Sequence, residues 1–369
     1  MKGIRFILLC VLISACRPVA ESVETAPPAK FHGKAQNVIL MIGDGMGISQ
    51  ITAGMYSNYN RLNLERCPVV GLIKTHSASD LVTDSAAGAT AFATGKKTYN
   101  GAIGVDADTI PQPTILEMAS VAGLATGMIV TSEITHATPA SFIAHQPDRK
   151  MTEEIASDFL KTDIDLFIGG GQNDFEKRKD GLNLFYGLRE KGYIIYNETT
   201  PLHDLRIPPG KKLAYFTAGD KPLPKYQGRD YLPEAVAFGI DFLDKRSDKG
   251  FFMMVEGSQI DMGGHANNSD YIVSEMIEFD EVIGKVLDFA EADRHTLVII
   301  TADHETGGLG INAGSAMRQD LLKTRFTTSG HTAQMVPVFA YGPGAEAFAG
   351  IYENTEIFYK MVKAMGLHP

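Results

Sequence analysis

The sequence predicts an α/β fold, with helices on both faces of a mostly parallel sheet. Three observations predict it. Short apolar runs bounded by Gly and small residues recur along the chain, as buried parallel strands do. Stretches with helical spacing lie between several of them, so β and α elements alternate. At 369 residues, 44% of them hydrophobic, the chain can fill a large single core.

The elements follow in order. Met1-Lys2-Gly3-Ile4-Arg5 is basic, and residues 6–13 are apolar but too few to span a bilayer, which reads as an export leader. Ile13-Ser14-Ala15-Cys16 resembles the lipobox of bacterial lipoproteins. That resemblance implies cleavage after residue 15 and a lipid anchor on Cys16. An ordinary signal peptide cleaved nearby is the other reading. Residues 16–35 lack periodicity and suit a flexible tether. With Cys10 removed and Cys16 acylated, only Cys67 remains, which excludes a disulfide framework within one mature chain. Residues 36–369 read as one domain. Its strands are expected at 38–42, 69–73, 127–131, 166–168, 251–255, 297–300 and 336–341. Helices are expected at 114–122, 151–161, 232–244 and 271–290. Residues 173–231, rich in Lys, Gly and Pro, read as an excursion that either shapes a cleft rim or fills space.

The net charge of -10 argues against a nucleic-acid-binding surface. An anionic substrate would have to be drawn in by metal ions or a few Arg and Lys. Ser85 stands behind Asp84 and ahead of Ala86-Ala87-Gly88-Ala89. This puts its hydroxyl at a helix start, where unpaired N–H groups favour an anion. No His or Lys lies beside it in sequence to act as base, so a metal is the expected activator.

Functional groups in such sheets gather beyond the carboxyl ends of strands. Here 38–42 leads into Gly43-Asp44-Gly45, 251–255 into Glu256-Gly257, and 297–300 into Thr301-Ala302-Asp303-His304. The 127–131 strand leads into Thr135-His136-Ala137-Thr138. Singly, each is a turn, a cap or a solvated loop residue; four at equivalent strand ends are hard to ascribe to chance. Asp261 and His265, four apart, point to one side of a helix or tight loop. Ser329-Gly330-His331-Thr332 precedes the last strand. Mixed Asp and His groups suit zinc and all-oxygen groups suit magnesium. Two zinc ions roughly 4 Å apart are the expected arrangement for an in-line displacement.

From residue 37 onward the chain resembles the alkaline phosphatase family of metal-dependent, serine-nucleophile enzymes. The matching segments begin at Asn37, Val82, Thr98, His136, Glu256, Thr301 and Ser329, in the family's order and spacing. The resemblance implies a three-layer α/β/α sandwich and hydrolysis of small-molecule phosphate monoesters. It implies that Ser85 becomes phosphoserine. Asp261, His265 and His331 would hold a first zinc, which takes the leaving-group oxygen and later activates water. Asp44, Asp303 and His304 would hold a second, and Asp44, Thr138 and Glu256 a magnesium ion. Arg149 would grip the phosphate oxygens, a task suited to a planar guanidinium. Asp84 would support the helix start and orient Arg149.

Two positions depart from common family patterns. His136 stands where some members carry aspartate, and is expected behind the ligands, orienting water or a carboxylate. Met262 stands where relatives more often have Lys, His or Trp, and a thioether cannot donate a hydrogen bond. A phosphodiesterase or sulfatase would use threonine or a modified residue in another local motif, and a non-catalytic metal binder would lose the nucleophile. Ser85 with Arg149 favours the monoester. The short 304–331 stretch predicts no large accessory domain, and the resemblance implies a homodimer.

Overall fold

Apolar runs without polar alternation need cover on both faces, and the chain provides it. The computed structural model describes residues 31–368 apart from 32, 316 and 317. The expected leader, Cys16 and almost all of the tether lie outside the described residues. The strands are β1 (Asn37–Gly43), β2 (Val69–Lys74), β3 (Ala125–Glu133), β4 (Leu166–Gly170), β5 (Tyr193–Asn197), β6 (Lys212–Phe216), β7 (Phe251–Gly257), β8 (Thr296–Thr301), β9 (Glu305–Thr306), β10 (Gly310–Ser315), β11 (Arg318–Arg325), β12 (His331–Thr332), β13 (Val336–Tyr341) and β14 (Gly350–Glu353). Ten of them make one sheet in the order β14-β2-β13-β8-β1-β7-β3-β4-β6-β5. Every pairing is parallel except those of β13, which runs against both β8 and β2. β1, β4, β7 and β8 are buried at every position.

Helices cover the sheet in two sets. Ile48–Ser57, Leu232–Asp244 and Ser269–Asp293 pack together, and Ser85–Thr94, Ile115–Val121 and Glu356–Met365 form the other set. The result is the α/β/α sandwich that the resemblance implied. Among the described residues no helix is long and apolar enough to cross a membrane.

Two expectations change. The 69–73 run pairs parallel only with the edge strand β14, and alternates between buried and open positions. It therefore lies near the rim rather than in the parallel core. The excursion at 173–231 contributes β5 and β6, which extend the main sheet. Its seat is aromatic: Phe216 meets Phe167, Phe175 and Phe185 at ring distances of 5.8, 5.0 and 5.5 Å. A buried ion network ties its far end to the long Ser269–Asp293 helix. Arg229 pairs with Glu275 and, at 2.7 Å, with Glu278. Lys225 reaches Glu278 at 3.3 Å.

Register sets up the site. Ile42 of β1 lies level with Glu256 of β7 on one side and Thr301 of β8 on the other. Asp44 and Asp303, each two residues further on, therefore emerge side by side with Glu256.

Candidate active site

Ser85 opens the helix Ser85–Thr94, whose residues are all small except Phe92 and all ten buried. Small side chains let this helix lie against the Asp303 segment: a Cβ on Gly88 would come within 3.1 Å of Asp303 Cβ. Asp84 caps the helix, its Oδ1 accepting the Ala87 N–H at 3.0 Å. Its Oδ2 accepts from Arg149 Nη1 and from the Gly101 N–H, both at 3.0 Å. Ser85 Oγ lies 3.3 Å from His304 Nε2. Arg149 Nη2 lies 3.2 Å from His136 Nε2. A guanidinium only donates, so that nitrogen of His136 accepts. Burial, and then Arg149, holds His136 down to about 4, which keeps it neutral.

Asp44, Asp303 and His304 are wholly buried and form one group. His304 Nε2 is 3.5 Å from Asp44 Oδ1 and 3.2 Å from Asp303 Oδ2. Asp303 Oδ1 is held by the N–H groups of Gly45 and His304, at 3.2 and 3.0 Å. Asp44, His136 and Glu256 form a second group, with Thr138 beside it. His136 stands beside these two carboxylates, with its Nε2 already taken by Arg149.

A third group joins Asp261, His265 and His331. The distances are 3.3 Å from Asp261 to His265, 3.1 Å between the two Nε2 atoms, and 3.5 Å from His331 to Asp261. Asp261 and His265 share the short helix Gln259–His265, one turn apart, as their spacing predicted. The imidazoles are oriented from behind. His265 Nδ1 is 2.6 Å from the Ser329 carbonyl and His331 Nδ1 is 2.9 Å from the Thr83 carbonyl. Carbonyls only accept, so both Nδ1 atoms carry hydrogen and both Nε2 atoms face the group. Thr306 Oγ1 donates to Asp261 and so accepts from His304 Nδ1 at 3.2 Å. All three imidazoles present the same nitrogen inward.

The donor set fits divalent cations. Both oxygens of Asp44, Oδ2 of Asp303, Oε1 of Glu256 and Oγ1 of Thr138 are buried without a hydrogen-bond partner. Isolated buried carboxylates are costly. Burial, then Asp303, Asp261 and Glu256, pushes Asp44 well above the ordinary carboxylate range. Burial lifts Glu256 to about 8, despite hydrogen bonding from Ser258.

Sequence reasoning assigned no role to Glu305, which holds the segment returning to His331. Its carboxylate accepts from Gln50 Nε2 at 2.7 Å, the N–H groups of Leu309 and Gly308, and Thr332 Oγ1. The β9–β12 ribbon sets His331 opposite Thr306. The Gly307 N–H donates to the Gly330 carbonyl at 2.9 Å, closing a neck from which the β10–β11 hairpin projects. The sequence signal was a carboxylate beside a ligand pair, and its partner Gln50 lies 255 positions away. Gly45, at φ 73°, is needed here: a Cβ would stand 2.7 Å from Asp261 Cα. Met262, half-buried, takes a long contact from the Tyr271 hydroxyl at 3.9 Å.

A serine at a helix start, ringed by carboxylates and inward-turned imidazoles at the ends of a parallel sheet, has the make-up of a metal-assisted hydrolase. The alkaline phosphatase family model matches residues 35–323 and 312–367. The chain belongs to that family and is a phosphomonoesterase. It is 35% identical to alkaline phosphatase 3 of Bacillus subtilis over 89% of each chain. It is 34% identical to the alkaline phosphatase of Escherichia coli, over 90% of this chain and 86% of that one. The solved alkaline phosphatase of the Antarctic bacterium TAB5 superposes with a TM-score of 0.86 at 44% identity, over 91% of this chain and 99% of that one. A histidine-to-aspartate variant of the Antarctic enzyme is described with magnesium bound in its M3 site.

Proposed function

We propose that the chain hydrolyses small-molecule phosphate monoesters through a phosphoserine at Ser85, in a site that takes two zinc ions and one magnesium ion. The observation that carries this reading is the ring of partnerless buried donors around Ser85. Asp261, His265 and His331 would hold one zinc, and Asp44, Asp303 and His304 the other. Asp44, Glu256 and Thr138 would hold magnesium, with His136 beside them in support. We equate His136 with the histidine replaced in the Antarctic variant. Bound there, divalent ions supply Lewis acidity, lowering the pKa of coordinated oxygens and offsetting substrate charge.

The chain's own groups do the rest. Asp84 holds the Arg149 guanidinium toward the reacting centre, and Arg149 binds the non-bridging phosphate oxygens. The Ser85–Thr94 helix adds backbone donors at its start. Ser85 Oγ forms a bond to phosphorus as the ester oxygen leaves, taking a proton to become the alcohol. Water then attacks the phosphoserine, releasing inorganic phosphate and restoring Ser85. Two inversions give net retention at phosphorus. We also propose export, with Cys16 as the lipid-bearing first residue, and a homodimer.

The test compares p-nitrophenyl phosphate with the bis-ester and the sulfate, with and without chelator. Chelator-sensitive monoester turnover is expected to dominate; faster bis-ester turnover would sink the reading. Ser85→Ala should abolish the phosphoenzyme and leave zinc bound. Near-normal turnover in that variant would remove Ser85 as the nucleophile.

A further inference from the structure

The loop carrying Arg149 is pinned by a side chain that the proposed reaction does not use. His145 lies four residues before Arg149 and is half-buried. Its Nδ1 is 2.7 Å from the Gly104 carbonyl oxygen, and its Nε2 is 3.0 Å from Glu117 Oε1. A carbonyl and a carboxylate only accept. Both ring nitrogens must therefore carry hydrogen, and the ring is held as imidazolium.

The partners are themselves fixed. Glu117 Oε2 accepts the Thr114 N–H at 2.9 Å, and its Oε1 takes Thr162 Oγ1 at 3.3 Å. The backbone N–H of His145 donates to Asp158 Oδ2 at 3.2 Å, and Lys161 sits on the other oxygen of Asp158 at 2.6 Å. The charged groups facing the imidazole are thus Glu117 and Asp158, with Lys161 behind the latter. Burial pulls the imidazole down, but its bonds to Glu117 and Gly104 and the two carboxylates outweigh this and hold it above the usual range. Burial likewise lifts Glu117, and the hydrogen bonds from His145 and Thr114 outweigh that and hold it low.

A short strip, residues 101–104, connects this pair to the site. Ile103 and Gln146 exchange both backbone hydrogen bonds at 2.9 Å. The Arg149 N–H donates to the Gly101 carbonyl at 2.7 Å. The Gly101 N–H and Arg149 Nη1 meet on the same oxygen of Asp84. One end of the strip lies under the imidazole and the other under Asp84, next to Ser85.

We infer that His145 and Glu117 are positioning residues for Arg149, acting through the 101–104 strip, and that only the imidazolium form does so. This rests on Arg149 gripping phosphate. Loss of the proton removes one of two donors, the strip relaxes, and the product is held less firmly. Alkaline solution then favours product release.

The test follows the inhibition constant of inorganic phosphate on the metal-loaded enzyme from about pH 6 to about pH 10, beside an NMR titration of the His145 ring. The constant should rise about tenfold where His145 titrates. In His145→Gln it should already be raised at neutral pH, with that step gone. In Glu117→Gln the step should move to lower pH, which also serves if His145→Gln does not fold. A step that stays at the same pH in these variants overturns the inference. Arg149→Ala separates the two readings. If it leaves the inhibition constant unchanged, Arg149 does not grip phosphate and both fall. If it raises the constant while the His145 and Glu117 variants leave the step in place, this inference alone falls.

Discussion

Among the described residues, two clusters of buried carboxylates are kept in opposite ways. Glu275 and Glu278, with side chains 1% exposed, meet Arg229, whose side chain is 2% exposed, and Lys225 closes the group from outside. There the chain supplies its own counter-charge. Asp44, Glu256 and Asp303 are just as buried, but Arg149 is turned to Asp84 and His136, and several of their oxygens accept nothing. Burial raises Glu275 and Glu278, and Arg229 pulls them back. Burial also raises Asp44, where carboxylate neighbours add to the rise. Buried acid alone does not mark a site; buried acid whose oxygens find neither a cation nor a hydrogen-bond donor does.

The two clusters should differ most in what they do for activity. Stripping metal should abolish turnover, and Asp44→Asn in the metal-loaded protein should lower kcat/KM at least ~1,000-fold. Arg229→Met should leave kcat/KM within about threefold. Turnover that survives complete chelation, verified by metal analysis, would place the two groups in one class.

Stability should sort the groups the other way. Arg229→Ala leaves two buried carboxylates unpaired and should cost about 3–5 kcal/mol in urea unfolding. A loss under about 1 kcal/mol would show that water already reaches the pair.

A smaller effect sharpens the contrast through pH. In metal-free protein, burial lifts Glu256 from an ordinary 4.5 to about 8. Its contribution to stability is full below the ordinary value and is lost as pH rises through 8. Metal-free protein should therefore lose about 1 kcal/mol from about pH 7 to about pH 8. His265, raised to about 9 by its bond to Asp261, acts in the same direction, but it is exposed and screened. His136 and His331, held down to about 4 chiefly by burial, add little in this window. Zinc- and magnesium-loaded protein should not show the loss, because its ligands stay deprotonated. Parallel unfolding curves with and without metal would remove the distinction.

Much of this was legible in the chain. β1, β7 and β8 announce themselves as unbroken apolar runs, and each has a carboxylate within two residues of its end. A four-residue spacing was enough to turn Asp261 and His265 to one side, of a helix or a tight loop; the fold makes it a helix. What stayed hidden depends on distant partners. β5 and β6 are short and lie at the sheet edge, in a stretch whose Lys, Gly and Pro mask their pattern. The reversed direction of β13 leaves no mark on its own residues. The binding of Glu305 to Gln50, and the tie from His145 through residues 101–104 to Arg149, cannot be seen before the chain folds.

The neck closed by Gly307 and Gly330 makes the β10–β11 hairpin a socket. Everything that fixes His331 lies below it, in the β9–β12 ribbon and the Glu305 clamp. Added length above the neck would pay only loop-closure entropy, about 0.6 kcal/mol for each doubling. Evolution or engineering can therefore lengthen this hairpin beyond its packing on the Ile48–Ser57 helix while the inward-facing imidazoles keep their places.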